Sequence, residues 1–511
     1  MDSRRRKSGV DIHVTSDKGQ RGGRRRNEQG RERNRTGARQ FSAAAPAQRT
    51  RRADPARLVA FEVLRAVAED DAYANLVLPS SIRKHRLQKQ DAGFATELAY
   101  GALRGQGTYD AILTRCVDRP LDQLDPAILD ALRIGTHQLL AMRVPPHAAL
   151  DQTVGLARAV IGAGPSSLIN AVLRKVSVRS LAEWTAELTG GLSDATRISS
   201  LTHSHPEWIV RALRQGLVTH GRSADEIDSL LAADNAAPIV NLVALPGIGS
   251  LDEAFATGAK PGTLAPESAL FASGDVGRLE GIRTGTTRVQ DAGSQLVARA
   301  LALVEVDGGG SGGQTWLDMC AGPGGKAALL AAIAAQQGNV LVANEPAAHR
   351  AQLVRQALRP VDPAAWSVRV GDGQDIAEDY PDGFDRVLVD APCTGLGALR
   401  RRPESRWRRQ PSDLALLGPL QRSLLQAALD TVKPGGVVAY VTCSPHPAET
   451  TAVVQDCLRG RDDFRLLDAG AALDKASLDG GLAAGNGSTA QLWPHVHGTD
   501  AMFLALIHRQ R

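Results

Sequence analysis

Residues 315–326, Thr315-Trp316-Leu317-Asp318-Met319-Cys320-Ala321-Gly322-Pro323-Gly324-Gly325-Lys326, constrain the fold more than any other stretch. Trp316, Leu317 and Met319 form the short apolar run of a buried strand. A glycine-rich turn follows, and the alanine- and leucine-rich run after it reads as a helix. Strand, tight loop and helix in that order make the first crossing of an open parallel sheet. A nucleotide-like cofactor sits at such a crossing, because glycines let the backbone come close and the helix amino-terminus faces the ligand. A phosphate-cradling P-loop would need Gly at 320 and Ser or Thr at 327, where this chain has Cys320 and Ala327. A strict G-x-G-x-x-G is missing too. What remains is a cofactor without a phosphate chain, and S-adenosylmethionine fits that description.

The 511 residues are enough for about three domains. Hydrophobic content of 43% and charged content of 23% are those of a globular chain. No apolar run approaches the roughly 18 residues that cross a bilayer, and the amino-terminus lacks the apolar core of a secretory signal. Five cysteines, at 116, 320, 393, 443 and 457, include no C-x-x-C pair. That argues against a disulfide framework and a zinc site, and for a reducing cytoplasm. Residues 1–52 hold 16 Lys/Arg against 5 Asp/Glu, while the whole chain is only +5, so the remainder is net negative. Rich in Arg, Gly, Asn and Gln, this stretch is expected to be a disordered basic arm. It either adds phosphate contacts or is a solubilising leader.

Asp54-Pro55 opens the ordered part as an N-cap followed by proline at the first helical position. Leu58, Phe61, Leu64 and Val67 recur at helical spacing, and Asp125-Pro126 starts another helix that ends before Pro145-Pro146. Nothing over 54–180 reads as a strand. Cys116 lies among apolar residues as an inert core thiol. Over 181–285 the pattern becomes that of a small α+β module. Ser204-His205-Pro206-Glu207 and Ser223-Ala224-Asp225-Glu226 have capping-box form, and Pro238 to Ala244 reads as a strand. His203 and His205, beside a helix start, read as cap or surface residues rather than ligands. The glycine-rich Asp307 to Gln314 precedes its strand and is a flexible connector.

From 286 onward the sequence reads as a doubly wound α/β domain. Asn339 to Ala343 is its second strand, and Glu345 just beyond it is placed for ribose hydroxyls. Ser367 to Val370 is the third, with Asp372 placed for an adenine amine. Phe384 to Asp390 is the fourth strand, followed by Pro392-Cys393. Leu414 to Val432 is helical, Lys433-Pro434-Gly435-Gly436 turns, and Val437 to Val441 is the fifth strand, ending in Thr442-Cys443-Ser444. Two cysteines, each just past the tip of a strand in a cofactor fold, point to catalysis. Cys457, on the following helix, is the structural control. Trp493 reads as a packing residue. His495 and His497 lack a third ligand, so no metal site is expected.

Cys-Ala-Gly-Pro-Gly-Gly-Lys resembles the first signature of the RNA cytosine carbon-5 methyltransferases, and Pro-Cys at 392–393 with Thr-Cys-Ser at 442–444 resembles the later ones. Residues 54–180 are similar to the NusB-like helical domain that precedes the catalytic domain in the RsmB/Fmu/Sun branch. The resemblance covers residues 54–511. It implies an all-α NusB-like RNA-binding domain, a small α+β linker module that helps hold RNA, and a Rossmann-like class I methyltransferase domain over 286–511. That domain would have a seven-stranded, mostly parallel sheet entered by a helix from Arg288 to Gln295. By this resemblance Cys443 is the nucleophile, Cys393 assists product release, and Asp390 hydrogen-bonds the target ring and borders the cofactor. Cys320, Ala321, Gly322, Pro323, Gly324, Gly325 and Lys326, with Glu345 and Asp372, hold S-adenosylmethionine. Where the family more often has Ala and Asp, this chain has Gly322 and Glu345. Where it commonly has Glu-Asn-Glu, only Glu449 of Glu449-Thr450-Thr451 matches.

DNA cytosine methyltransferases use the Pro-Cys thiol with a downstream Glu-Asn-Val, which is absent after Cys393, so RNA is favoured. The cytosine must be unstacked into the pocket, which suits single-stranded or looped rRNA. The arginines of Arg400-Arg401-Arg402-Pro403 to Trp407-Arg408-Arg409 suit phosphate contact and stacking. The expected protein is a cytoplasmic monomer. The alternatives are a tRNA-directed enzyme of the same chemistry and a non-catalytic NusB-like assembly factor.

Overall fold

The computed structural model describes residues 53–272, 274–306, 313–485 and 487–511. The basic arm, residues 1–52, lies outside the described residues, and so does 307–312 of the glycine-rich connector.

Seven α-helices run from Pro55–Glu69 to Ser166–Val176 and no strand lies among them. The Asp54 side chain accepts from Arg57 N and Asp125 from Ala127 N, so the two Asp-Pro pairs start helices as expected. Val59, Leu64, Leu98, Ile112, Leu132, Leu156 and Ile169 share one core, in which Cys116 is buried. Burial raises that thiol's pKa. Trp184, on the next helix Leu181–Thr189, also packs into this core. The helical block's packing therefore continues past residue 181.

The second stretch begins with helices, including Ala195–His203, Glu207–Thr219 and Ile227–Asn235. Ser223 and Glu226 form a capping box. Ser204 does not: the helix after it begins at Glu207 behind Pro206, and Ser204 is the left-handed C-terminal cap of the preceding helix. Its hydroxyl accepts from Gly107 N instead (2.8 Å). His205 is completely buried, which corrects the reading of it as a cap or surface residue.

A four-stranded antiparallel sheet follows, from β1 (Val240–Ala244), β2 (Lys260–Pro261), β3 (Ser268–Phe271) and β4 (Thr287–Val289), in the order β2-β3-β1-β4. Strand β4 replaces the first residues of the expected lead-in helix. Leu242 pairs with Val289, and the helix itself starts at Ala292 with Asp291 as its cap. The small sheet thus extends to Val289.

The third region holds β5 (Thr315–Asp318), β6 (Val340–Asn344), β7 (Trp366–Arg369), β8 (Phe384–Asp390), β9 (Val432–Thr442), β10 (Phe464–Leu466), β11 (Thr489–Gln491) and β12 (Phe503–Arg509). Seven strands lie in the order β10-β12-β9-β8-β5-β6-β7. Pairs β5–β6, β6–β7, β5–β8 and β8–β9 are parallel, and β12 is antiparallel to both β9 and β10. This is the expected seven-stranded, mostly parallel sheet, with the short β11 added on β12. Strand β9 begins at Val432, so the expected Lys433–Gly436 turn is a bulge within it, opposite Phe384 and Arg386. Parallel strands need apolar cover on both faces. Accordingly Leu388, Ala439 and Val441 enter one core while Val387, Val389 and Tyr440 enter the other. The strand order reverses between β5 and β8, so the carboxyl ends of these two strands flank the crevice where ligands bind in such folds.

Candidate active site

The glycine turn leaves β5 at Asp318 and enters the helix Gly325–Gln336. Gly324 has φ +108°, and a side chain there would also meet Ala357, so only glycine is tolerated. Ala321 N donates to Asn344 O (2.9 Å), tying the turn to the end of β6. Just past β6, the buried Glu345 accepts from Ala347 N through Oε1 (3.0 Å) and lies 3.3 Å from Arg350, which donates to Gly322 O (2.9 Å). Gly322 and Glu345 are therefore neighbours. A Cβ at 322 would collide with Glu345 Oε2 and press on Arg350, so the two departures from the family pattern compensate. The longer carboxylate fills the space that the missing methyl leaves. Gly322→Ala alone is expected to weaken S-adenosylhomocysteine binding by about tenfold, the cost of displacing one charged hydrogen-bonding group. Adding Glu345→Asp is expected to restore it, and calorimetric titration reads both results.

Asp318 is a site residue that the sequence reading passed over. It is 1% exposed. Only the Cys320 backbone N–H approaches its carboxylate, and neither oxygen makes a well-formed hydrogen bond. Burial, reinforced by Asp390, pushes its carboxyl up to about 7. A buried acceptor left this way fits a ligand that brings a cation. The ammonium of S-adenosylmethionine's amino-acid end is such a group, and the buried Glu345 stands at the tip of the second strand. The residues present fit that cofactor. Gly373 packs close to Met319 and Asn344, so the Asp372 loop lies over the ends of β5 and β6. Asp372 itself is exposed and caps the short turn after it, accepting from Gln374 N (3.0 Å). Cys320 is half-buried; burial and the carboxylates of Asp318, Asp390 and Glu345 hold its thiol well above the usual range.

Strands β8 and β9 end side by side, with Asp390 opposite Val441. Just beyond those tips the sulfurs of Cys393 and Cys443 are 3.4 Å apart, both half-buried. Lys326, from the glycine turn, donates to Asp390 Oδ2 (2.7 Å). Its ammonium therefore links the cofactor loop to the thiol pair, a placement that its assignment to the cofactor alone did not anticipate. The hydrogen bond between the two sulfurs holds the Cys443 pKa below the ordinary thiol value; Lys326 pulls the same way, while burial and Asp390 oppose it. Cys393 goes the other way, well above the usual range, because of that same hydrogen bond and burial.

Glu449 supports this pair from behind. It is fully buried and accepts from Thr394 N (2.8 Å) and from Gln421 Nε2 (3.1 Å), which also donates to Pro392 O (2.8 Å). The loop that carries Cys393 is thereby held from both sides, so the single Glu retained at 449 supplies buttressing. Gly397 N donates to Cys443 O (2.9 Å), closing the second loop onto the first. Cys457 is buried, apart from the pair, and burial pushes its thiol up to about 11, as suits the structural control.

The arginine-rich segment departs most from expectation. Arg406 is completely buried and donates to Asn235 Oδ1 (2.7 Å), Asp234 O (2.8 Å), Arg104 O (3.2 Å) and Ser204 O (3.3 Å). Arg408 donates to Val67 O (2.8 Å) and Ala72 O (2.6 Å). Arg400 donates to Gly498 O (2.8 Å), and Arg401 pairs with the buried Asp500 (2.9 Å). Apart from the exposed Arg402 and from Arg409, which faces Asp413 four residues on (3.7 Å), these arginines join the helical block, the second stretch and the catalytic sheet instead of forming a free phosphate surface. Asp500 N in turn donates to Asp291 (3.1 Å), whose carboxyl is pushed up to about 6 by burial and by Asp500. His495 pairs with Glu226 (2.9 Å), and His497 Nδ1 accepts from Trp493 N (2.8 Å). Among the described residues no group of three or more His, Cys, Asp or Glu is arranged to hold a metal ion, and no helix is long and apolar enough to cross a membrane.

The fold recurs in solved structures. The crystal structure of PH0851 superposes with a TM-score of 0.72 at 20% identity, over 90% of this chain and all of that one. A methyltransferase homologue from Pyrococcus horikoshii superposes at 0.50 and 23% identity, over 62% of this chain and all of that one. Residues 310–508 match the profile of the 16S rRNA methyltransferase RsmB/F family, and residues 54–178 match the NusB family. A protein of Mycobacterium tuberculosis H37Rv, named as a methyltransferase, is 47% identical over 465 residues, 90% of this chain and 98% of its own. Ribosomal RNA small subunit methyltransferase B of Pseudomonas putida is 32% identical over 421 residues, 81% of this chain and 91% of its own. With the doubly wound sheet, the cofactor turn and the helical block in place, these likenesses extend over nearly the whole described chain, which belongs to the RsmB/F family of 16S rRNA methyltransferases and carries a NusB-family domain ahead of its catalytic one.

Proposed function

We propose that this protein transfers a methyl group from S-adenosylmethionine to carbon 5 of a cytosine in 16S rRNA, through a covalent adduct on Cys443. The observation that carries the reading is the pair of sulfurs 3.4 Å apart just past the adjacent ends of β8 and β9, with Lys326 of the glycine turn on Asp390 beside them.

Carbon 5 of cytosine is a poor nucleophile. Addition of the Cys443 thiolate at carbon 6 forms a sulfur–carbon bond and moves the ring's electron pair toward carbon 5. S-adenosylmethionine supplies the electrophilic methyl group that this carbon takes. Asp390, held by Lys326, hydrogen-bonds the protonated ring nitrogen as charge shifts. Once the Cys443 sulfur is bonded to carbon, it no longer accepts the hydrogen bond that keeps Cys393 protonated, so Cys393 gives its proton to solvent more readily, the one proton that the overall transfer releases. It then takes the carbon-5 proton. The electron pair left behind restores the ring double bond and expels Cys443 as thiolate, which returns the pair to its resting state.

Bisulfite mapping of rRNA and tRNA from cells with and without the gene tests the reading. Loss of one methylcytosine in 16S rRNA is expected. Loss from tRNA alone would move the substrate, and loss from neither would end the enzymatic reading.

A further inference from the structure

The second stretch reaches the Cys443 loop through one side chain. His220 caps the carboxyl end of the helix Glu207–Thr219, and its Nε2 lies 3.1 Å from Pro445 O and 3.4 Å from Thr450 Oγ1. Pro445 is two residues past Cys443. A carbonyl only accepts, so Nε2 carries the proton and donates it there. Thr450 gives its own hydroxyl hydrogen to His446 O (3.0 Å), which leaves its oxygen to accept from the same N–H. Burial lowers the ring's pKa to about 4, so His220 is a neutral donor at pH 7. Its Nδ1 is buried without a partner, so all of the ring's hydrogen bonding is directed at this loop.

The ring is also fixed by packing. Its centroid is 5.5 Å from that of Phe503 and 6.2 Å from that of Trp493, both of them buried. Phe503 pairs across the sheet with Thr442, the residue before Cys443. Gly216, one turn earlier on the same helix, brings its backbone onto the same carbonyl, and a Cβ there would stand 2.8 Å from Pro445 O. Leu213 and Leu217 of that helix share a core with Leu396 and Leu399, just after the Cys393 loop. The helix therefore adjoins both cysteine loops.

We propose that His220 is a positioning residue for Cys443, holding the turn after β9 so that the sulfur stays against Cys393 and meets the substrate carbon at reacting distance. Glu449 buttresses the Cys393 loop, and His220 does the same for the other half of the pair. The stretch ahead of the catalytic sheet thereby becomes part of the catalytic apparatus. The proposal rests on the covalent reading above for its effect on turnover, and on the loop contacts alone for its effect on the thiol.

His220→Phe keeps a ring beside Phe503 and Trp493 and removes the donor, whereas His220→Gln restores an N–H at the place of Nε2. The full-length variants are compared in methyl transfer to a 16S rRNA transcript and in alkylation of Cys443 by iodoacetamide, which needs neither RNA nor cofactor, with thermal midpoints in parallel. His220→Phe is expected to lower kcat about tenfold at an unchanged KM for S-adenosylmethionine, since a misplacement of about 1 Å can cost roughly 100-fold and the loop keeps its other ties. The pH midpoint of alkylation should move toward that of a free thiol. His220→Gln is expected to recover most of both. Gly216→Ala loses no hydrogen bond yet presses on Pro445 O, and should lower kcat in the same way. Wild-type kcat and alkylation in His220→Phe would overturn the proposal. So would a His220→Gln no better than His220→Phe, which would make the ring a packing residue only. A shifted alkylation midpoint in a protein that methylates nothing would end the enzymatic reading and leave the positioning one standing.

Discussion

Cys443→Ser is expected to reduce methyl transfer to 16S rRNA on the order of 10⁴-fold or more while leaving cofactor affinity unchanged. Removing a covalent nucleophile typically costs several orders of magnitude, and a serine hydroxyl ionises far less readily than a thiol. Initial rates with tritiated S-adenosylmethionine measure the loss. The same pair sets a pH dependence. Because the Cys393 hydrogen bond and the Lys326 charge hold Cys443 below its ordinary pKa, alkylation of Cys443 by iodoacetamide should rise through a midpoint below that of a free thiol. Cys393→Ala removes the donor that stabilises the thiolate and should shift this midpoint to higher pH. An unshifted midpoint would mean that the two sulfurs do not interact.

The second large effect is on stability. Arg406→Met is expected to destabilise the protein by about 3–5 kcal/mol, because it leaves the Asn235 and backbone acceptors unmet and removes the cation beside the buried Asp234. Arg406→Lys should recover little, since an ammonium cannot reach several acceptors with one planar fork. Thermal unfolding followed by circular dichroism reads both variants. Weaker RNA binding at an unchanged unfolding midpoint would instead return Arg406 to the phosphate-contact role that its surroundings in sequence suggested.

These two results lie on opposite sides of what the sequence makes legible. Local chemistry is readable in order along the chain. Asp54-Pro55 and Asp125-Pro126 cap helices, Leu317 and Met319 bracket a strand tip, and Cys393 and Cys443 follow the two strands that precede them. Each of those features is decided by neighbours a few residues away. Arg406 is decided by partners 171 to 302 residues distant, so an arginine run around a tryptophan looks like a nucleic-acid surface until those carbonyls are in place. Ser204 fails as a helix start for a similar reason. The serine-to-glutamate spacing is right, but Pro206 takes the N-cap position and Ser204 turns left-handed to end the helix before it. Strand β4 is three residues long and is held by its pairing with β1, from Leu242 opposite Val289 to Ala244 opposite Thr287. Asp318 lies inside the most informative stretch, between the apolar Leu317 and Met319 that mark a strand, and nothing in the sequence singles it out. Its importance appears only once burial leaves its carboxylate without a well-formed hydrogen bond.

Gly322 and Glu345 show how family departures should be weighed. Taken singly, each loosens the match to the cofactor signature. In the folded chain they touch, and one change makes room for the other. Glu449 teaches the converse. The one carboxylate retained accepts from Thr394 N and from Gln421 Nε2, and Gln421 in turn donates to Pro392 O, so the Cys393 loop is held directly and through Gln421.

The central claim is that Cys443 bonds to the target base and Cys393 lets it go. Cys393→Ala incubated with the 16S rRNA transcript and S-adenosylmethionine, then run on a denaturing gel, tests it most directly. The account predicts a protein–RNA species that survives denaturation and that, after digestion, maps to the peptide containing Cys443. The same stable species formed by Cys443→Ala, with the RNA on the Cys393 peptide, would contradict it.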